Sequence, residues 1–359
     1  MARKPVTDQA CPNEDCDAFQ SSAPGNVTRH GFYRSKLGRR RRYRCSTCGV
    51  TFGSGSGTPY YRIQSSRSRF DTVAAMSVEG MSKSSISRVT DLAWNTVDRW
   101  LEKAAAAARE FNDVRMRGFT LRELQADELR TIVGSKTNVT WIFTTTEVWS
   151  RLWPSCVVGR RSYRNTHEVI SDTVQRGELD GTLLVAFDGF EYYPRVIETI
   201  LGIACVYGQI VKTFRNNRVQ RIERRQPKGM KQRLEDALSD SEDSTKLNTS
   251  FIERLNLTLR QGSAYLGRRT LSHARCARRL EDHLELLRCH YNFIRPHRSL
   301  KVGAVTRTPA QQAGIATKRW SFRAVFMARG SGRLLRVVVS CVRPALWPRA
   351  EWASGRRAA

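Results

Sequence analysis

Three carboxylates stand where they could hold metal ions over a phosphate. Asp127 lies inside Leu124-Gln125-Ala126-Asp127-Glu128-Leu129, a run that reads as a strand, and a mid-strand charge is costly unless paired or metal-bound. Asp188 ends the apolar strand Leu183-Leu184-Val185-Ala186-Phe187 and precedes Gly189. That places it at the carboxyl edge of a sheet, where open α/β sheets bind ligands. Glu253 opens a helix and shares a face with Asn256 and Arg260, three and seven residues on. Two aspartates on neighbouring strands plus a helix glutamate suit two-metal phosphoryl transfer, and hard oxygen ligands favour Mg²⁺ or Mn²⁺. Glu128, Asp172, Asp180 and Glu191 are rival ligands or plain surface charges, and Ser250 to Glu253 also fits a capping box in which the glutamate only caps.

A second set is softer. Cys11 and Cys16 form one pair, and Cys45 and Cys48, followed by Gly49, form a tight knuckle. Both spacings fall within those of structural zinc sites, and four thiolates around Zn²⁺ would hold together a segment too small for its own core. Two disulfides fit poorly, because nothing in the N-terminus resembles an export signal. Cys156, Cys205, Cys276, Cys289 and Cys341 are scattered and read as buried structural residues. Between the knuckles, Arg34 to Arg44 carries seven basic side chains and no acid, interleaved with Phe32, Tyr33 and Tyr43. On a zinc ribbon such a stripe, Arg41 and Arg42 included, tracks a phosphate backbone.

The elements that must position these groups follow from periodicity. Gly53 to Gly57 alternates with serine and reads as a hinge. From Arg67 to about Glu110 the apolar spacing is helical: Val73, Ala74 and Val78 lead to a turn at Gly80, a short helix surrounds Ile86 and Val89, and Asn95 can cap a third helix carrying Val97, Trp100 and Leu101. This pattern predicts a helix-turn-helix, with Thr96, Arg99 and Lys103 off the apolar stripe and facing DNA. The period then becomes strand-like over Leu124–Val133, Val139–Thr145 and Val148–Val158, a meander. A helix near Arg164–Gln175, the strand ending at Asp188, a strand over Cys205–Phe214 and two helices in 247–296 complete an α/β sheet with a partly antiparallel edge. Residues 212–233 are basic, and Glu235–Asp243 is an acidic, helix-forming, solvated stretch.

Composition narrows the partner. The 359 residues carry 61 Lys+Arg against 33 Asp+Glu, a formal charge of +28, and only eleven of the basic residues are lysine. Arginine forks match phosphate geometry, so a polyanion is indicated, although arginine-rich codon usage explains part of the excess. With 40% hydrophobic residues the chain is globular. It has no apolar run of the roughly 18 residues a membrane span needs, so no membrane partner is expected.

The motifs together resemble an insertion-sequence-one family DDE transposase over roughly residues 8 to 326. They are Cys11–Cys16, Arg42–Phe52, Gly57–Arg62, Glu79–Ser84, Asn95–Leu101, Asn248–Asn256, Tyr291–Leu300 and Thr308–Ala310. The resemblance implies a zinc ribbon over residues 1–57, a helix-turn-helix region over 58–112 and an RNase H-like mixed-sheet catalytic core over 120–316. In that core Asp127, Asp188 and Glu253 would be the Mg²⁺ ligands, spaced 61 and 65 residues apart. Arg260 would contact DNA near the scissile phosphate, Asn256 is carried over more loosely, and His297 and Arg298 gain a DNA-facing role beside the plain alternative of a helix end. The implied activity is binding of terminal inverted repeats of double-stranded DNA, metal-dependent cleavage and 3′-OH joining to target DNA, by at least a dimer, and the implied setting is the cytoplasm of a prokaryote, at the nucleoid. The resemblance ends at Phe326, and the tail 327–359 has no recognisable ending, which keeps open a degenerate copy acting as a repressor with an inactive core.

Overall fold

The computed structural model describes residues 6, 9–21, 23–35, 38–216, 218–226, 231–241 and 246–328. Lys36 of the basic stripe, Glu242 and Asp243 of the acidic stretch, Cys341 and the rest of the tail beyond Ala328 lie outside them. The chain forms two compact units. One has its described part within Met1–Tyr33 and Arg40–Ser54; the other comprises Arg34–Arg39 and Gly55–Ala328. No helix among the described residues is long and apolar enough to cross a membrane.

The small unit holds a three-stranded sheet, ordered β1 (Val27–Ser35), β2 (Gly38–Cys45) and β3 (Thr51–Gly53). Its core is small: Cys11, Cys16, Ala18, Val27, Cys45 and Phe52, with Tyr43 stacked on Phe52. So little apolar area cannot offset the chain entropy of its own loops.

The large unit begins with three helices, α1 (Arg67–Val78), α2 (Lys83–Thr90) and α3 (Trp94–Arg115). Ser66 and Ser82 cap the first two by accepting the amides of Arg69 and Ser85. Gly80 ends α1 at φ +85°, and a Cβ there would meet the Gln261 carbonyl at 2.6 Å, so only glycine fits. Asn95 does not cap α3 as expected. The helix starts two residues earlier, at Trp94 after Ala93, without a side-chain cap. It also runs to Arg115, because Ala104, Ala105 and Ala108 present a small buried face against α8 (Ala277–Cys289). Phe70, Val73, Ile86, Trp100 and Leu101 knit the three helices together, with Phe70 against Trp100 at 5.4 Å.

A six-stranded mixed sheet follows, ordered β6-β5-β4-β7-β8-β9. Its strands are β4 (Phe119–Ile132), β5 (Val139–Glu147), β6 (Cys156–Gly159), β7 (Gly177–Asp188), β8 (Cys205–Arg215) and β9 (Arg218–Arg225). The centre, β4-β7-β8, is parallel; β5 and β9 run against it, and β6 runs against β5. The meander's last strand is shorter than expected. Buried Glu147 takes the amides of Trp149 and Ser150 onto its carboxylate, which turns the chain until Cys156. Strand β9, inside the basic run 212–233, was not anticipated: its residues alternate in no apolar pattern because nothing covers them.

Helices cover both faces. On one, α4 (Tyr163–Arg176) and α5 (Tyr192–Leu201) pack through Val169, Ile170 and Tyr193 on Val185 and Phe187. On the other lie α6 (Lys231–Ser239), anchored by Leu234 on Leu184 and Val206, and α7 (Ser250–Gln261). The acidic stretch is helical as far as Ser239, as expected, and Ala237 and Leu238 within it are partly buried against the same cluster. After α8 come a short hairpin, β10 (Lys301–Val302) with β11 (Val305–Thr306), and the small helices α9 (Pro309–Gln312) and α10 (Phe322–Met327). Of the scattered cysteines, Cys205 and Cys289 are buried as expected, Cys156 is half-buried, and Cys276 is exposed.

Candidate metal centres

Asp127 and Asp188 come together because β4 and β7 are parallel neighbours. The ladder pairs Gln125 with Ala186 and Ala126 with Phe187, and the next step sets the two aspartates side by side at the carboxyl end. Side chains two apart on a strand share a face. Gln125 and Asp127 both point to α7, while Ala126 and Glu128 point to the opposite face.

The first of these residues builds the site. Buried Gln125 accepts the amides of Phe251 and Ile252 at 3.0 and 3.1 Å, so a strand side chain caps the start of α7. The capping-box alternative for Glu253 does not hold. Thr249, not Ser250, precedes the helix, it makes no side-chain cap, and its hydroxyl donates to the Glu253 carboxylate at 2.8 Å. Held this way, α7 lays Glu253, Asn256 and Arg260 along an open groove with Asp127 and Glu128. Asn256 donates to Asp127 Oδ2 at 2.7 Å and accepts from the Thr144 hydroxyl at 3.2 Å. Glu253 forms an ion pair with Lys212 of β8. Arg260 donates to the Leu266 carbonyl at 3.1 Å, and burial lowers its pKa.

Carboxylate oxygens of Asp127, Glu128 and Asp188 lie within 4.8 Å of one another. Burial, with Asp188 alongside, pushes Asp127 up to about 7 and Glu128 up to about 8. Burial raises Asp188 too. Arg161 answers part of this charge: it pairs with Glu128 at 2.8 Å, reaches Asp188 at 3.7 Å and stacks on Phe190 and Trp141. Packed acids that hold protons near neutrality are a site short of positive charge, which a divalent cation would supply. Oxygen-only donors, open on one side, fit Mg²⁺ or Mn²⁺.

Four sulfurs make the other cluster. Cys11, Cys16, Cys45 and Cys48 place their Sγ atoms within 4.8 Å of one another, with Cys11 to Cys48 at 3.6 Å and Cys16 to Cys45 at 3.8 Å. Neither pair is a disulfide. Zinc–sulfur bonds of about 2.3 Å in a tetrahedron give sulfur–sulfur edges of roughly 3.8 Å, so the residues fit a closed thiolate site. The Val50 amide pulls Cys48 down to about 6, whereas burial raises Cys11 and Cys16. The turn is set by Gly49 at φ +72°, its amide donating to the Cys45 carbonyl.

The remaining candidates divide. Arg41 lies over the Phe32 ring at 4.1 Å and Arg42 over Tyr33 at 5.6 Å. Arg99 is exposed and Thr96 half-exposed on α3, but Lys103 is spent on the Tyr61 carbonyl at 2.6 Å. The His297 ring meets Tyr291 at 4.5 Å, Nε2 approaches the Tyr291 carbonyl at 3.2 Å, and burial drops its pKa to about 4. His297 is half-buried, whereas Arg298 is exposed. Of the rival acids, Asp172 binds Ser155 and Arg176, Asp180 pairs with Arg122, and Glu191 is exposed ahead of α5. Glu128 alone joins the cluster. Gln125, a polar residue at same-face spacing from Asp127, could have been found from sequence; Arg161 and Lys212 carry no local signal.

No protein-family model matches the chain, and no curated protein matches it. Among solved structures it is similar to a piggyBac transposase synaptic complex with hairpin DNA, over 81% of this chain and 79% of that one, at 10% identity and a TM-score of 0.29. A likeness so loose carries no argument about fold or chemistry.

Proposed function

We propose that this protein is a DDE-type transposase of the insertion-sequence-one kind, with an RNase H-like core, that cleaves DNA at its element's ends and joins the 3′-OH to a target. What carries the reading is the meeting of Asp127 and Asp188 at the carboxyl edge of parallel strands, with Glu253 on α7 in the groove beside Asp127. Asp127, Asp188 and Glu253 would hold Mg²⁺ or Mn²⁺, which when bound activates the attacking oxygen and stabilises the leaving one. The chain's own groups do the rest. Asn256 orients Asp127, and Gln125 fixes where α7 begins. Lys212, which now neutralises Glu253, is a cation that can turn to a phosphate oxygen once the carboxylate is otherwise engaged. Arg260, in the same groove, would meet the backbone near the reacting phosphate.

The four-cysteine cluster would hold Zn²⁺ and fix a ribbon whose Arg41 and Arg42 face phosphate. α2 and α3 would act as a helix-turn-helix, with Thr96 and Arg99 toward the major groove. Joining two element ends calls for at least a dimer. The test is direct: incubate the full chain with Mg²⁺ and duplexes carrying its element's terminal repeats, and look for 3′-end joining. Joining products support the reading. Binding without cleavage under Mg²⁺ and Mn²⁺ points to a repressor with a dead core, and cleavage without joining to a nuclease.

A further inference from the structure

Strands β8 and β9 do something the rest of the sheet does not. Pairing between β7 and β8 runs only as far as Asp188 opposite Ile210. Pairing between β8 and β9 continues past that point, from Val211 opposite Glu223 to Arg215 opposite Arg218. A two-stranded ribbon therefore leaves the sheet at the edge that carries the carboxylates, and its root is Lys212, the partner of Glu253.

The ribbon's charge is ordered. Cross-strand partners share a face, and so do residues two apart along a strand. Thr213 opposite Arg221, and Arg215 opposite Arg218, put these three arginines on one face, and Arg225 extends the row toward the sheet. All four are exposed. The one acid of β9, Glu223, is held by Arg225 at 2.9 Å. The opposite face, which includes Lys212 and Arg224, carries Ile222 and Val219, 48% and 47% exposed.

We propose that the β8–β9 ribbon is a DNA-docking arm that seats a duplex against the carboxylate edge. Two-stranded ribbons fit the major groove of B-DNA, arginines serve its phosphates and base edges, and apolar side chains contact thymine methyls. A-form RNA, with its deep and narrow major groove, would not admit the ribbon. Edge strands often carry charges only to deter pairing with another sheet. One or two charges of either sign do that, whereas here four of the five arginines on the two strands share one face of a ribbon that leaves the sheet at its carboxylate edge. The inference rests on the reading that the partner is DNA.

The experiment uses the full chain and a fluorescent random-sequence DNA duplex of about three helical turns, titrated by anisotropy between roughly 50 and 200 mM salt. Arg218→Ala with Arg221→Ala should weaken binding about tenfold or more and lower the salt slope by about two, with zinc content and Tm unchanged. Arg218→Lys with Arg221→Lys should keep most of the affinity, which separates charge from folding. If wild type binds and the alanine pair binds equally well with the same slope, the arm is wrong and the DNA reading survives. Failure of wild type to bind any duplex removes both. A loss confined to an RNA duplex of the same sequence overturns the choice of DNA.

Discussion

The cysteines of the small unit and the carboxylates at the sheet edge are both arranged to surround a cation, and they are built in opposite ways. The sulfurs close on one another at tetrahedral spacing inside a core of a few side chains, so a metal there would hold the unit together. The carboxylates stand on a large core of their own, supported by Leu183, Val185 and Phe187, and face an open groove. A site that needs its metal to fold spends the metal's coordination on structure. A site that folds without its metal can leave positions free for substrate. The difference teaches which cluster to assign to architecture and which to chemistry.

Breaking the carboxylate site should have the largest effect. Asp127→Asn, which keeps the shape and removes the charge, should cut cleavage and joining by roughly 10³- to 10⁵-fold, since metal ligands act as one unit. Duplex binding should persist. Glu253→Gln should match it, and the double variant should be little worse than either. If Glu253→Gln left joining intact while Glu128→Gln abolished it, the third ligand would be the buried neighbour on β4.

Next comes the closed site. Cys45→Ser should lower bound zinc well below one per chain, as read by metal analysis, and open the N-terminal unit to protease. Divalent binding at the sheet edge should survive. Protein purified without chelator and found free of zinc would sink the ribbon assignment.

pH separates the two clusters by a smaller effect. Asp127 and Glu128 titrate near 7 and 8 in the folded chain against 3.8 and 4.5 as free groups. Above about pH 4 the folded form therefore holds protons that the unfolded chain has released, so these groups erode stability as pH rises and stop doing so above about pH 8. In Mg²⁺-free buffer the Tm of wild type should fall relative to Asp127→Asn across that window, and Mg²⁺ should restore it more at the upper end. A difference that is flat or of opposite sign would contradict the raised values.

The smallest effect tests the support. Gln125→Leu strands the Phe251 and Ile252 amides, which should cost about 1–3 kcal/mol and lower Tm by a few degrees. Joining should fall with it while zinc content stays constant. An unchanged Tm would mean that α7 has another anchor.

These results also mark what the sequence could disclose. Local chemistry was legible: the Cys11–Cys16 and Cys45–Cys48 spacings and the apolar run that ends at Asp188. The long-range ladder was not. Asp127 meets Asp188 only through parallel register, and Glu128 became a buried acid only when Arg161 arrived from the loop before α4. Asn95 looked like a cap because it is polar, but Ala93 precedes the first turn. His297 sits in an arginine-rich motif that suggested DNA; Asn292 of the same motif is locked to the backbone of Trp153 by two hydrogen bonds, and that internal packing explains part of the pattern.

The central claim is that the two clusters are separate metal sites of different kind, and Mn²⁺ binding measures it most directly. Zinc-replete wild type should bind Mn²⁺ by electron paramagnetic resonance titration, and Asp188→Asn should lose that binding while retaining its zinc. Mn²⁺ binding that survives Asp188→Asn unchanged, or zinc that leaves with it, would contradict the account.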